Sequence, residues 1–416
     1  MNSQKGMATL LVTAMLLVVS LLFSLASYKN VFYQIKRTQN EVLARQAHWL
    51  AEGGLECGFA KINEESDLSL VTNSNYFYTD CNASGNSIEI DTISSDMYVI
   101  TSRNTNDIAT KKISKHFSIA GGRSPGIIKA TSNLLLEGTT VMYPDPGVKS
   151  EGEYECVIAR YAGNVEIKGT LTNAGLHHAY PPYDGFHSNS TTWPKCKPEN
   201  QSIVADNKIV IGSSKPSVFG DDYIYSANLD PFKDVFHVPR KDWEKIKDKS
   251  TTTVIAGSLS CSSDIASKIA VDSDRIWVVG NCDLGSNANL IQEAITIAGI
   301  PGIVLVVQDG ILAVNGAQTL SALIYHFKSP GSTFMPTESQ WDVMSAGGQL
   351  THQEKLVVGY FQFGAFHPKG GYVMDAPGLT AKIRGSLDFS FNSDVFKDAL
   401  DDLETISWVE GSWYDL

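Results

Sequence analysis

The residues best suited to chemistry fall in two short stretches. In "GLHHAYPPYDGFHSNSTTWPKCKPEN", His177, His178, His187 and Cys196 carry the imidazole and thiol groups that bind zinc-like metals. Neighbouring histidines on a loop are expected to point apart, and Cys196 is expected in a disulfide, so no metal is predicted there. In "VDSDRIWVVGNCD", Asp272, Asp274 and Asp283 offer the oxygen ligands that calcium takes. Their spacing is not that of an EF-hand loop, so they read as solvated turn carboxylates, with calcium the one ion they would suit. Paired carboxylates also cleave glycosidic bonds. Asp221 with Asp222, or Asp272 with Asp274, are the available pairs, and a membrane-anchored β-helix enzyme acting on polysaccharide is the reading they would support. Adjacent strand residues face opposite ways, which disfavours the first pair. No P-loop, G-x-G-x-x-G or H-E-x-x-H element is present. The expectation is a protein that is not an enzyme and holds no cofactor.

Exposed aromatic loops are the other candidate surface. His177, His178, Tyr180 and Tyr183 in "HHAYPPYDGFH", with Phe366 in "FQFGAFHPKGGY", form the predicted ligand surface. DNA or a glycan is the partner such rings would serve.

Charge and cysteines bound the setting. A net charge of -12 over 416 residues argues against bulk nucleic-acid binding, which needs clustered Lys and Arg. "KKISKHF" is a local basic patch, whereas "RKDWEKIKDK" interleaves Asp242, Glu244 and Asp248 and reads as a solvated helical face. Six cysteines occur, none in C-x-x-C spacing, which excludes zinc-ribbon and thioredoxin-like readings. Their even number suits an oxidising compartment. The simplest pairing is Cys57–Cys81, Cys156–Cys196 and Cys261–Cys282, although the sequence leaves connectivity open.

The elements that position these residues begin with a membrane-length helix. Met7 to Tyr28 contains no charge, Gly or Pro. Such a run is long enough to cross a bilayer. Val31, Ile35, Val42, Trp49, Leu50, Leu55 and Phe59 then continue at roughly helical spacing, with Gly53-Gly54 a weak point. A plain single-span anchor, a secretory signal cut near Ser24–Ala26, and a leader cut between Gly6 and Met7 all fit. Lys5 before the run is balanced by Lys29, Lys36 and Arg37 after it, so the positive-inside rule does not choose among them.

"QKGMATLLVTAMLLVVSLLFSLA" followed by "RTQNEVLARQAHWLAEGGLECGFA" resembles the N-terminal region of PilX-type minor pilins of type IV pili. The likeness covers about the first 60 residues, and its ordered motifs include Ala51-Glu52-Gly53-Gly54-Leu55. The resemblance implies that a prepilin peptidase cuts after Gly6 and that the amine of Met7 is methylated. It further implies insertion in the inner membrane and later exposure in the periplasm or at the cell surface, within a pilus. Partners would be other minor pilins, the major pilin and the inner-membrane assembly platform. Most major pilins carry Glu at the fifth mature position, where this chain has Leu11. PilX-type proteins, and the large tip pseudopilin of type II secretion, are similar in lacking that Glu. The implied role is a rare subunit that primes or caps the filament.

Beyond about residue 63 the period shortens to that of strands. The expected fold is α+β: a pilin-like, lollipop arrangement of one long helix and a large, mostly β body. Residues 1–6 form the leader, 7–62 the helix, and 63–122 a pilin-like β region with strands at "SIEIDTI", "MYVITS" and "KKISKHFSIA". Residues 123–392 form a solenoid-like body, in which apolar runs such as "NLLLEGT", "NVEIKGTLTNAG" and "AITIAGIPGIVLVVQDGILAVNG" alternate with Gly, Asn or Asp turns. Residues 393–416 are expected as a helix burying Val395, Phe396, Ala399, Leu400 and Leu403, then a closing strand.

Overall fold

The uncharged run and the helical spacing beyond it fold as one α-helix, Gln4–Glu64, which starts within the expected leader. The computed structural model describes residues 4–64, 77, 81, 85–93, 97–106, 109–120, 124, 126–150, 152–186, 193–270, 273–403, 405–409 and 411–415. At 61 residues the helix is about 90 Å long. Its C-terminal part buries Ala47, Ala51, Leu55 and Ile62 against an antiparallel sheet of strands Asn86–Thr92, Met97–Asn106 and Ala109–Ala120. Small residues set the distance of approach. A Cβ on Gly54 would stand 2.6 Å from Ser102 Oγ, and one on Gly58 2.7 Å from Ile100 Cδ1. At the expected weak point Gly54 is therefore a contact, and the helix runs through both glycines. Asn86 fastens it: its Nδ2 donates to Leu50 O at 2.9 Å, and its Oδ1 accepts from Asn104 Nδ2 at 2.6 Å.

The last strands, Thr405–Trp408 and Tyr414–Asp415, join this same sheet beside Ala109–Ala120. Phe59 of the helix stacks on Trp408 with ring centroids 3.9 Å apart, and the Lys115 ammonium lies 4.0 Å from the Trp408 centroid. The chain divides into two compact units. One comprises residues 1–93, 97–118 and 406–416; the other comprises 94–96 and 119–405. The second unit is thus inserted, in sequence, between strands of the first.

The inserted unit is built on two eight-stranded sheets. The first runs in the order Thr252–Ala256, Arg275–Val279, Ile303–Gln308, Ala322–Phe327, Tyr372–Asp375, Ile128–Ala130, Ala159–Tyr161, Tyr223–Tyr225, with every pairing parallel. The second follows the same order with the strands that succeed the middle six in the chain: Cys282–Gly285, Leu312–Asn315, Val358–Phe363, Thr380–Arg384, Asn133–Tyr143, Val165–Asn173. Ile203–Ile211 ends it, antiparallel to Val165–Asn173, and the eighth strand, Leu387–Ser390, runs parallel to the end of Asn133–Tyr143 beyond Thr380–Arg384. Strands Ile303–Gln308 and Ala322–Phe327 are buried at every position, as expected of parallel strands covered on both faces. The Asp309-Gly310 break is accordingly not a hairpin turn. It carries the chain from one sheet to the other, and the two flanking strands find partners elsewhere.

Glycines stack in one line across the second sheet, Gly316, Gly364 and Gly385 just past the ends of their strands and Gly138 and Gly169 within theirs. A Cβ on Gly364 would lie 2.4 Å from Gly316 O, one on Gly385 2.5 Å from Gly364 O, one on Gly138 2.4 Å from Gly385 O, and one on Gly169 2.2 Å from Gly138 O. Side chains are excluded where these backbones stack.

Two expectations need correction. "AITIA" is not a strand: it ends helix Asn289–Ala298, whose Ile291 and Ile295 are buried at i, i+4 spacing and which Gly299 closes at φ 69°. Thr337 with Gln340, and Thr351 with Glu354, form capping boxes that start two short helices, Glu338–Asp342 and His352–Lys355. At the C-terminus the five named apolar residues are buried, but on one helical turn, Asp394–Lys397, followed by a 3-10 segment, Asp398–Leu403.

Candidate functional site

Two surfaces collect the sequence's candidates. The first is the N-terminal half of the long helix. Its side chains from Ala8 onward have no cover within the chain, and Leu11 is 58% exposed. Each large apolar side chain left in water forgoes about 1.5–3 kcal/mol of burial. This is the one described helix long and apolar enough to cross a membrane. Gly6 and Met7 sit in its helical backbone near the start.

The second is the loop after strand Val165–Asn173, within the inserted unit. Its base is fixed by polar bonds. Asp222, fully buried, accepts from Asn173 Nδ2 (3.0 Å), Ser202 N (2.9 Å) and Ser202 Oγ (2.6 Å), and Asn173 Oδ1 accepts from Gly175 N at 3.0 Å. The Cys156–Cys196 disulfide ties the two sides, and Ser393 N donates to Pro182 O at 2.8 Å. On this frame the rings form a chain of contacts. Tyr180 lies 4.3 Å from Tyr143 and 5.9 Å from His177, measured between centroids. His177 and His178 are 4.4 Å apart, and His178 meets Trp193 at 6.4 Å. Trp193, Phe186 and Tyr183 continue it at 5.9 and 5.0 Å. Tyr180 remains 41% and Tyr183 38% exposed, and His177 and His178 are exposed beside them. Burial, then the neighbouring Tyr180 and Asp388, raise the Tyr143 phenol; burial, then Tyr154, Asp145 and Asp394, raise that of Tyr183. These phenols are neutral hydrogen-bonding groups near neutral pH.

The other predicted residues are placed as follows. The expectation that His177 and His178 point apart is overturned: their rings are in contact, because His177 Nδ1 accepts from Ala179 N (3.2 Å) and the loop folds back to pair His177 with Tyr180. Phe366 is 0% exposed and belongs to the core, so it is no part of a ligand surface; its segment forms the buried strands Val358–Phe363, His367–Pro368 and Tyr372–Asp375. His187 and Asp272 lie outside the described residues. Asp283 is buried and accepts from Ser345 N, Ser345 Oγ and Gly285 N at 2.6, 2.7 and 2.8 Å, so it is a structural carboxylate rather than a solvated one. Burial, with Asp398 and Asp402 nearby, raises the Asp274 pKa. Asp221 pairs with Lys215 at the surface while Asp222 is buried, so the two diverge, in the turn before strand Tyr223–Tyr225 rather than on a strand. Among the described residues no group of three or more His, Cys, Asp or Glu is placed to share a metal ion. The cysteines form the disulfides Cys57–Cys81, Cys156–Cys196 and Cys261–Cys282.

One pattern in the sequence went unread. Gly122-Arg123-Ser124-Pro125-Gly126 fits G-x-S-x-G. A strand, Ile128–Ala130, follows where a nucleophile elbow needs a helix, and Ser124 N donates to Asp234 Oδ1 at 2.6 Å. The serine caps a carboxylate that also pairs with buried Lys129.

Comparison with known proteins gives no match: no family model, no curated protein and no solved structure is similar to this chain.

Proposed function

We propose that this chain is a PilX-type minor pilin. It enters the inner membrane through the helix Gln4–Glu64, is cut between Gly6 and Met7, and is methylated at Met7. It then joins other minor pilins and the major pilin to prime or cap a type IV pilus. The observation that carries this reading is the division of one unbroken helix. Its N-terminal half is apolar and uncovered, while its C-terminal half is seated on its own antiparallel sheet. An isolated membrane anchor needs only the first half. A subunit that leaves the bilayer for a fibre needs the rod to stay rigidly joined to its folded unit, and the Gly54 and Gly58 contacts supply that junction. Leu11 fits a rare subunit, because it cannot make the buried carboxylate pair expected of a shaft-forming one.

We read the inserted unit as a β-solenoid, each turn contributing one strand to each parallel sheet. In this reading it is the exported body, non-enzymatic, and the aromatic loop is its contact surface.

The test is the mature N-terminus. Protein isolated from membranes of cells with a prepilin peptidase should begin at N-methylated Met7, and Gly6→Val should leave residues 1–6 attached. Equal mature masses for the wild type and Gly6→Val would reject the reading.

A further inference from the structure

The aromatic loop has a composition that selects among ligands. We propose that the strip formed by Tyr180, Tyr143, His177, His178 and Tyr183 binds a neutral polysaccharide. This deepens the reading of the inserted unit as an exported contact surface and rests on it.

The argument has three parts. The first is the shape of the strip. Tyr143 backs Tyr180 at 4.3 Å and 38°, so one face of the outer ring is supported while the ring stays 41% exposed. A supported, exposed phenol suits the apolar C–H face of a pyranose, which gains from contact with the electron-rich face of a ring as other weakly positive groups do. Successive contacts through His177 and His178 extend the platform, which suits a chain of sugars better than one small ligand.

The second is polarity. The phenols of Tyr143 and Tyr183 stay neutral, and the imidazoles of His177 and His178 are exposed. The Asp184 carboxylate is exposed at the same edge, where its backbone N–H is held by Asp394 Oδ2 at 2.6 Å. Sugar hydroxyls need this mixture of donors and acceptors around a stacking surface.

The third is charge. Carboxylates surround the phenol end: Asp388 acts on Tyr143, and Asp145 and Asp394 act on Tyr183. Nucleic-acid strands are held by Lys and Arg tracking the phosphates beside the stacked bases. Here the Lys149 ammonium lies over Tyr154, which meets Phe186 beside Tyr183, whereas the charge acting on Tyr143 behind Tyr180 is the Asp388 carboxylate. The exposed Tyr180 face therefore repels an anionic backbone while accepting an uncharged one.

The test uses the detergent-solubilised full-length chain, titrated with cellohexaose, maltohexaose and chitohexaose, and with a single-stranded thymidine oligonucleotide. Binding is read by calorimetry. At least one neutral hexasaccharide should bind, and Tyr180→Ala should weaken it about tenfold, the scale of one lost stacking contact. Tyr180→Phe, which keeps the ring, should bind within about twofold of wild type on the same scale. Tyr180 is a surface side chain, and an unchanged melting temperature shows that the variant is folded. Binding of none of the three sugars, binding indifferent to Tyr180→Ala, or oligonucleotide binding that Tyr180→Ala abolishes would each overturn the proposal. Correct processing at Gly6 together with absent sugar binding rejects this inference alone; sugar binding by a chain that is never cut rejects the pilin reading alone.

Discussion

Gly169 stands directly over Gly138 in the parallel register, so close that a Cβ on Gly169 would lie 2.2 Å from the Gly138 carbonyl oxygen. Its φ of 133° is also outside the range of ordinary L-residues. Gly169→Ala combines a strained backbone with an overpacked contact. We expect it to cost about 2–4 kcal/mol. Gly53 is the contrast, because a Cβ there meets nothing within 4 Å. Gly53→Ala should stabilise the helix by about 1 kcal/mol, the difference in helix propensity. Thermal unfolding of the two variants should shift in opposite directions.

The same glycines mark the boundary of what the sequence makes legible. "LLLEGT", "VEIKGT" and "AKIRGS" share a visible pattern of apolar run, charge, Gly and small hydroxyl residue. The strands could be read from it, and so could the long helix from its uncharged run. Pairing could not. Tyr372–Asp375 lies beside Ile128–Ala130 although some 240 residues separate them, and no local propensity records that neighbour. Phe366 was misjudged for a related reason: it lies in the short link between strands Val358–Phe363 and His367–Pro368, where Gly and Pro suggest an exposed loop, and only the tertiary packing buries it. Tyr180 and Tyr183 were legible because Pro, Gly and Asp around them mark an exposed turn.

His326 makes stability depend on pH. It is buried, its Nε2–H donates to Gly310 O at 2.8 Å, and burial lowers its pKa to about 4, against the small opposing effects of that bond and Asp309. The unfolded chain, with an ordinary value near 6.5, binds the proton first. The contribution of neutral His326 is therefore complete above about pH 6.5 and is lost as the pH falls from there to about 4, a span of roughly 3 kcal/mol. Burial also lowers the pKa of His237 and His367, so they act in the same direction. His326→Gln keeps a donor for Gly310 but does not titrate. Its melting temperature should fall less than that of the wild type between pH 7 and pH 4.5, and equal slopes would show that His326 is not the titrating group.

Asp375 and Arg240 hold the inserted unit together through a charge that water cannot reach. Asp375 is fully buried and accepts from Arg240 Nε (3.0 Å), Thr131 Oγ1 (2.8 Å) and Tyr325 OH (3.1 Å). Asp375→Ala leaves three donors unmatched, one of them charged, and should cost about 3–5 kcal/mol. Tyr325→Phe removes a single neutral donor and should cost about 1 kcal/mol. Urea unfolding monitored by tryptophan fluorescence would separate the two, and equal costs would mean that the ion pair contributes nothing beyond one hydrogen bond.

The uncovered half of the helix makes the last prediction, on membrane attachment. Leu17 and Leu21 lie within the uncharged run, and both are more than half exposed within the chain itself. Water would charge for each such side chain, whereas lipid does not, so the wild-type protein should stay with membranes through an alkaline carbonate wash. An Arg at the centre of a spanning helix costs about 2.5–3.5 kcal/mol. Leu17→Arg with Leu21→Arg should therefore release the chain from the membrane fraction while leaving the sheet-packed half intact, since Ala47, Ala51 and Leu55 are untouched. Limited proteolysis can check the second part: the released variant should give the same protected core as the wild type. Retention of the double variant in washed membranes would place the attachment outside this run.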